Sequence, residues 1–161
     1  MKRTAGLGEL LRYTAELVDQ GAETVYRDMG LDYRARYTPV MRAIAGGART
    51  VGEITDASRL TQGAISQTVG LMIQQGLLER LPMAEDARKS ALAFTADGRA
   101  LLRRLEPHWS LVFEAIGTLE AEIGHPLLDV LEATASALEH KGFAARLSEV
   151  RQLSARSSLR D

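Results

Sequence analysis

Apolar residues recur at three- and four-residue intervals along most of the chain, and the breaks between these stripes divide it into segments. Leu7, Leu10, Leu11, Leu17, Val18 and Val25 predict a first helix over residues 5–28 that ends near Gly30. Val40, Met41 and Ile44 mark a short second helix, with Thr38 as N-cap, Pro39 at the first helical position and Gly46-Gly47 as its stop. Thr50 followed by Glu53 has the spacing of a capping box and opens a third helix. A turn over residues 56–59 then leads to Thr61, the cap of a fourth helix over residues 62–75, with Leu60 and Ile65 spaced as a hydrophobic staple. Beyond Gly76 the period changes. Residues 77–83 and 90–95 read as two strands joined by a charged loop at 84–89.

Thr95 is again an N-cap, with Asp97 placed favourably in the first turn. Leu101, Leu105, Trp109, Val112, Ile116, Leu119 and Ile123 then repeat as a heptad seam that continues across Pro107, where a kink is expected. Gly124-His125-Pro126 ends this helix, Leu127, Leu128, Leu131, Ala135 and Leu138 mark another, and Phe143, Leu147, Val150 and Leu153 carry a last stripe before a tail at 154–161. Two short helices joined by a few residues must cross, and a hairpin directly after them is a wing. The expected fold is therefore mainly α with a small β-hairpin. It is a winged helix-turn-helix lobe over 38–95, between a helical segment at 1–37 and helical segments at 96–161.

The fourth helix has two faces of different chemistry. Ile65, Val69, Met72 and Ile73 form an apolar stripe, whereas Gln62, Gly63, Ser66, Gln67, Gly70 and Gln74 fall on the other side without a charge among them. Glutamine pairs bidentately with an adenine edge, serine bonds to either kind of base, and glycine admits a close backbone approach, so this face suits a major groove. A solvated face is the plain alternative. Surface helices, however, usually carry Lys and Glu, and an interior Gly costs about 1 kcal/mol. Phosphates are expected at the helix starts of Thr50 and Thr61, with Arg49, Arg59 and Lys89 as mobile cations beside them. Bases would be read by Gln62, Ser66 and Gln67, and Arg88 on the wing would enter the flanking minor groove.

At this point the sequence resembles the MarR (multiple antibiotic resistance regulator) transcription factors. The resemblance rests on GLLERLPMAEDARKSALAFTADGRALL, with the Asp86-x-Arg88 pair at the wing tip and the Phe94-Thr95-x-x-Gly98 step into the next helix. It covers about residues 38–105 closely and the flanking helices in pattern only. It implies that Asp86 orients Arg88, that the terminal helices interlock two copies of the chain, and that the dimer reads a palindromic operator. It further implies a crevice for a small aromatic acid between the dimer helices and the winged lobe. Arg12, Tyr13, Tyr33, Tyr37, Arg42, His108 and Trp109 are the polar and aromatic residues available in the corresponding segments, each with packing or capping as its alternative role. One departure stands out. Family members often place Arg or Lys on the recognition face, but residues 60–79 contain no basic residue, which shifts affinity towards the wing and the flanking arginines. Repression by occluding a promoter is the family's default.

Composition and charge refine this picture. The 161 residues suffice for a substantial core, and 45% hydrophobic content is ordinary for a globular chain. The formal net charge of -1 is unevenly distributed: residues 34–104 hold eleven Lys/Arg against six Asp/Glu, and the remainder nine against fifteen. A basic middle between acidic ends fits a polyanion-binding lobe on a non-binding scaffold. The absence of cysteine removes disulfides, thiolate metal sites and the cysteine-based peroxide sensing known in the family. No signal-peptide core or membrane span is visible, so a cytoplasmic location is expected. His108, His125 and His140 lie on separate segments without metal-ligand spacing, and no phosphate-cradling glycine loop follows a strand. Neither a cofactor nor an enzyme activity is expected. The competing assignment is a winged-helix module for dimerisation or protein binding, without DNA. Such a module would have no reason to pair an uncharged Gln/Ser/Gly face with a basic wing tip.

Overall fold

The computed structural model describes residues 5–83 and 86–157, and the side chains at 83, 86–89, 156 and 157 lie outside that description. Seven α-helices, one 3₁₀ turn and a two-stranded antiparallel hairpin are present among the described residues. The chain divides into two compact units, residues 1–105 and 106–161.

The first unit opens with α1 (Leu7–Asp28), most of whose apolar residues stay exposed while Tyr26 is buried. Gly30, at φ 66°, turns the chain after it. A 3₁₀ turn (Ala35–Tyr37) then runs straight into α2 (Thr38–Ala45). This corrects the expected start of α2. The cap is Tyr37, already helical at φ -81° and ψ -19°, because the preceding turn supplies the entry geometry. The Thr38 hydroxyl is paired instead with the Tyr33 hydroxyl at 3.0 Å.

α3 (Val51–Ser58) starts at the expected capping box: Thr50 Oγ1 accepts from the Glu53 amide at 3.2 Å, and Glu53 Oε2 accepts from the Thr50 amide at 3.2 Å. α3 continues through Ser58, so the turn expected over 56–59 is confined to its end, where Arg59 adopts the left-handed conformation at φ 54°. α4 (Gln62–Gln74) follows, capped by Thr61 Oγ1 accepting from the Ala64 amide at 3.3 Å. Leu60, the outer half of the expected staple, is 43% exposed. Gly76, left-handed at φ 70°, ends α4 and turns the chain into the wing.

β1 (Leu78–Met83) pairs with β2 (Asp86–Phe94) in the register Leu78↔Phe94 to Pro82↔Ser90, with an irregularity between Pro82 and Met83. The connecting loop is thus shorter than expected, since the backbone at 86–89 already belongs to β2. Leu92 N–H donates to the Arg49 carbonyl at 2.7 Å, which fastens the wing to the residue ahead of α3. The core of this unit comprises Val40, Met41, Ile54, Ile65, Val69, Met72, Leu78, Leu92 and Leu105, all essentially inaccessible. It joins α2, α3, α4, the wing and the first part of α5 (Ala96–Ile123).

The second unit holds the remainder of α5, which runs through Pro107 without a break, then α6 (Leu127–His140) and α7 (Phe143–Ser157). Glu120 secures the first corner: its carbonyl accepts from the Gly124 amide at 2.9 Å and its carboxylate from the Leu128 amide at 3.0 Å. At the second corner Arg146 donates to the Ala137 and Lys141 carbonyls, and Lys141 pairs with Glu149. No residue of α6 is buried, and Phe143, Val150 and Leu153 are about 60% exposed.

Candidate nucleic-acid interface

The outer face of α4 has the expected division. Gln62, Gly63, Ser66, Gln67, Gly70 and Gln74 are all exposed, while Ile65, Val69 and Met72 are in the core and Ile73 is half-buried. Thr68 joins the buried side at 9% exposure, a position three residues from Ile65 and four from Met72 that places it within the same arc. A Cβ on Gly63 or Gly70 would meet nothing within 4 Å, and neither residue has a positive φ. Internal packing therefore gives no reason for either glycine.

The two helix starts differ in what they offer an anion. At α3 the Glu53 carboxylate already accepts from the Arg49 amide at 2.6 Å as well as from Thr50, so a negative group occupies that terminus. At α4 the first turn carries no acidic residue. An oxyanion would meet the positive end of the α4 dipole without competition from a carboxylate. Arg49 and Arg59 are both exposed, Arg49 ahead of the α3 cap and Arg59 between α3 and α4. Asp86, Arg88 and Lys89 have their backbone in β2, and their side chains lie outside the described part of the structure.

Arg36 belongs to this surface, and no local pattern in the sequence marks it. It lines a groove of about 380 Å³ with Asp19, Leu60, Ala64, Gln67 and Leu71, and its guanidinium lies 5.7 Å from the centre of the Tyr37 ring. The groove puts a basic residue beside Gln67 although α4 itself has none. Only the charge count over residues 34–104 hinted at it, because the fold brings together segments about thirty positions apart.

The aromatic and basic residues considered for an effector are distributed over both units. Tyr33 and Tyr37 are brought together with Tyr26: ring centres lie 4.7 Å apart for Tyr26 and Tyr33 and 5.8 Å for Tyr33 and Tyr37, both edge-on. All three are buried. Burial pushes the Tyr33 phenol above its ordinary value, opposed by its hydrogen bond with Thr38. Arg42 lines a different cleft, of about 570 Å³, with Thr38, Pro39, Ala57 and Ser58. Arg12 and Tyr13 are exposed on α1, and His108 and Trp109 belong to the second unit. Among the described residues no group of His, Asp and Glu has the arrangement of a metal site, and no helix is long and apolar enough to cross a membrane.

Comparison with known proteins bears on this lobe directly. Residues 30–89 match the MarR family model. A structure of Bordetella bronchiseptica BpsR, described with a mechanism for regulation of its DNA binding by 6-hydroxynicotinic acid, superimposes with a TM-score of 0.57 at 18% identity, covering 98% of this chain and 96% of BpsR. The PcaV transcriptional regulator of Streptomyces coelicolor, solved in complex with its natural ligand, gives a TM-score of 0.61 at 19% identity over 84% of this chain and 99% of PcaV. A mutant form of MarR from E. coli gives 0.53 at 19% identity over 85% of this chain and 98% of MarR. No curated protein sequence matches the chain. The matched segment contains α2, α3, α4 and β1, and with α4 the whole exposed Gln/Ser/Gly face.

Proposed function

Starting from a MarR-family winged helix-turn-helix at residues 30–89, we infer that the chain is a homodimeric, sequence-specific DNA-binding transcriptional regulator. α4 lies in the major groove of double-stranded DNA, and the wing near 84–89 lies in the flanking minor groove. The observation that carries this reading is the exposed, uncharged face of α4, whose two glycines have no internal contact to explain them. Gln62, Ser66 and Gln67 read base edges. Arg49, Arg59 and the helix starts at Thr50 and Thr61 hold phosphates, with Lys89 as a further mobile cation, and Arg88, oriented by Asp86, supplies the minor-groove contact. Residues 1–37 and 96–161 pair two copies so that the lobes meet a pseudo-palindromic operator. The chain represses by occupying DNA and responds to a small aromatic acid, a class that includes the 6-hydroxynicotinic acid of BpsR.

Two variants test the division of labour on a duplex selected by the wild-type protein and on its scrambled counterpart. Arg88→Ala weakens binding to both, whereas Gln67→Ala weakens the selected duplex alone, by about 1 to 3 kcal/mol for one bidentate pair. Equal losses on both duplexes for Gln67→Ala contradict base reading by α4.

A further inference from the structure

The step from the wing into α5 is built around one hydroxyl. Thr95 Oγ1 accepts from the Gly98 amide at 3.0 Å and donates to the Gly76 carbonyl, while the Thr95 amide donates to the Leu77 carbonyl at 3.1 Å. Gly98 sits so close beneath that a Cβ there would fall 2.0 Å from the Leu77 carbonyl oxygen and 3.2 Å from the Phe94 ring. Arg99 Nη1 donates to the Phe94 carbonyl at 2.6 Å, and Phe94 pairs with Leu78 in the first rung of the wing. Thr95 thus ties together the left-handed end of α4, the base of both strands and the first turn of α5.

A helix cap requires only the bond from Gly98. The bond to Gly76, nineteen residues earlier, does something a cap does not need: it fixes the base of a two-stranded hairpin against the end of α4. A two-stranded ribbon has little stiffness of its own. The direction of the wing depends on how it is held, by the Leu92–Arg49 bond on one side and at its base by this tie to the end of α4.

We propose that Thr95, seated by Gly98, is a positioning residue that sets the angle between the wing and α4, so that the major-groove helix and the minor-groove wing meet one duplex together. This rests on the DNA-binding reading and adds to it a residue that touches no DNA. The full chain and three variants separate the tie from the cap. Thr95→Ser keeps both bonds. Thr95→Asp keeps an acceptor for the Gly98 amide but, when ionised, has no donor for Gly76. Thr95→Val lacks both. Each is titrated against a duplex selected by the wild-type protein from a random pool and against the same duplex shortened at both ends to remove the flanking minor grooves.

The quantity read is the gain in affinity given by the flanks, a ratio in which a general effect of fold cancels, taken over a salt series that screens the charge added by Thr95→Asp. The wild type and Thr95→Ser gain roughly tenfold, the scale of one well-placed polar contact. Thr95→Asp and Thr95→Val gain less than about twofold on that scale. If Thr95→Val loses its melting transition, Thr95→Asp carries the comparison, since its cap is retained. Retention of the full gain by Thr95→Asp overturns the inference and leaves the DNA reading intact. A wild-type chain that selects no sequence removes the DNA reading and this inference with it.

Discussion

Arg59 occupies a conformation that favours glycine. At φ 54° it closes α3, and left-handed backbone costs a residue with a Cβ roughly 1 to 2 kcal/mol. A long cationic side chain kept there, at the exposed corner between α3 and α4, fits a residue retained for its guanidinium at the expense of stability. Relief of that backbone strain in Arg59→Gly is worth on the order of 1 kcal/mol in urea unfolding, set against the loss of the side chain's own interactions within the fold. The same variant weakens binding to selected and scrambled duplexes alike and lowers the salt slope of log K by about 1. An unchanged salt slope, measured by fluorescence anisotropy over a salt series, contradicts a phosphate contact at Arg59. Gln67 needs no such strain. It stands exposed on regular helix with Arg36 in the groove beside it.

At the scale of the element, α4 inverts the choice made at Arg59. Gly70 lies mid-helix with ordinary φ and open space around its missing Cβ, so Gly70→Ala should stabilise the fold by about 1 kcal/mol. If the helix backbone lies against a groove at that point, the same methyl group weakens binding to the selected duplex. A variant that is more stable and binds as tightly as wild type would assign the glycine no role in close approach. Much of this element was legible beforehand, because caps and periodicity are local. Thr50, Thr61 and Thr95 cap as their spacing implies, and the Ile65, Val69 and Met72 stripe is buried. Features set by distant neighbours were not. The 3₁₀ turn at 35–37 displaced the α2 cap, a groove between separate segments brought Arg36 to Gln67, and the Gly98 contact depends on a carbonyl twenty-one positions earlier. The Glu53 carboxylate belongs to both classes: its box with Thr50 was readable, but its bond to the Arg49 amide, which shifts the favoured anion site to α4, was not.

Over the whole molecule, the distribution of apolar surface and charge sets the terms on which the lobe can work. α1 leaves Leu7, Leu10, Leu17 and Val18 at least half exposed, and in the second unit Leu111, Phe143, Val150 and Leu153 are exposed to a similar degree. Surface of this extent is what a second copy would cover in the proposed homodimer, with two-fold symmetry as the consequence. The basic excess meanwhile lies in residues 34–104, away from those segments in sequence. On the proposed reading, two identical lobes held by a dimer meet two half-sites in inverted order. Selection by the wild-type protein from a random pool of duplexes of about 30 base pairs, long enough for half-sites one helical turn apart, tests this claim most directly. The account predicts enrichment of an inverted repeat with half-sites spaced by about one turn or a multiple of it. Recovery of sequences indistinguishable from the input pool at low salt would contradict it.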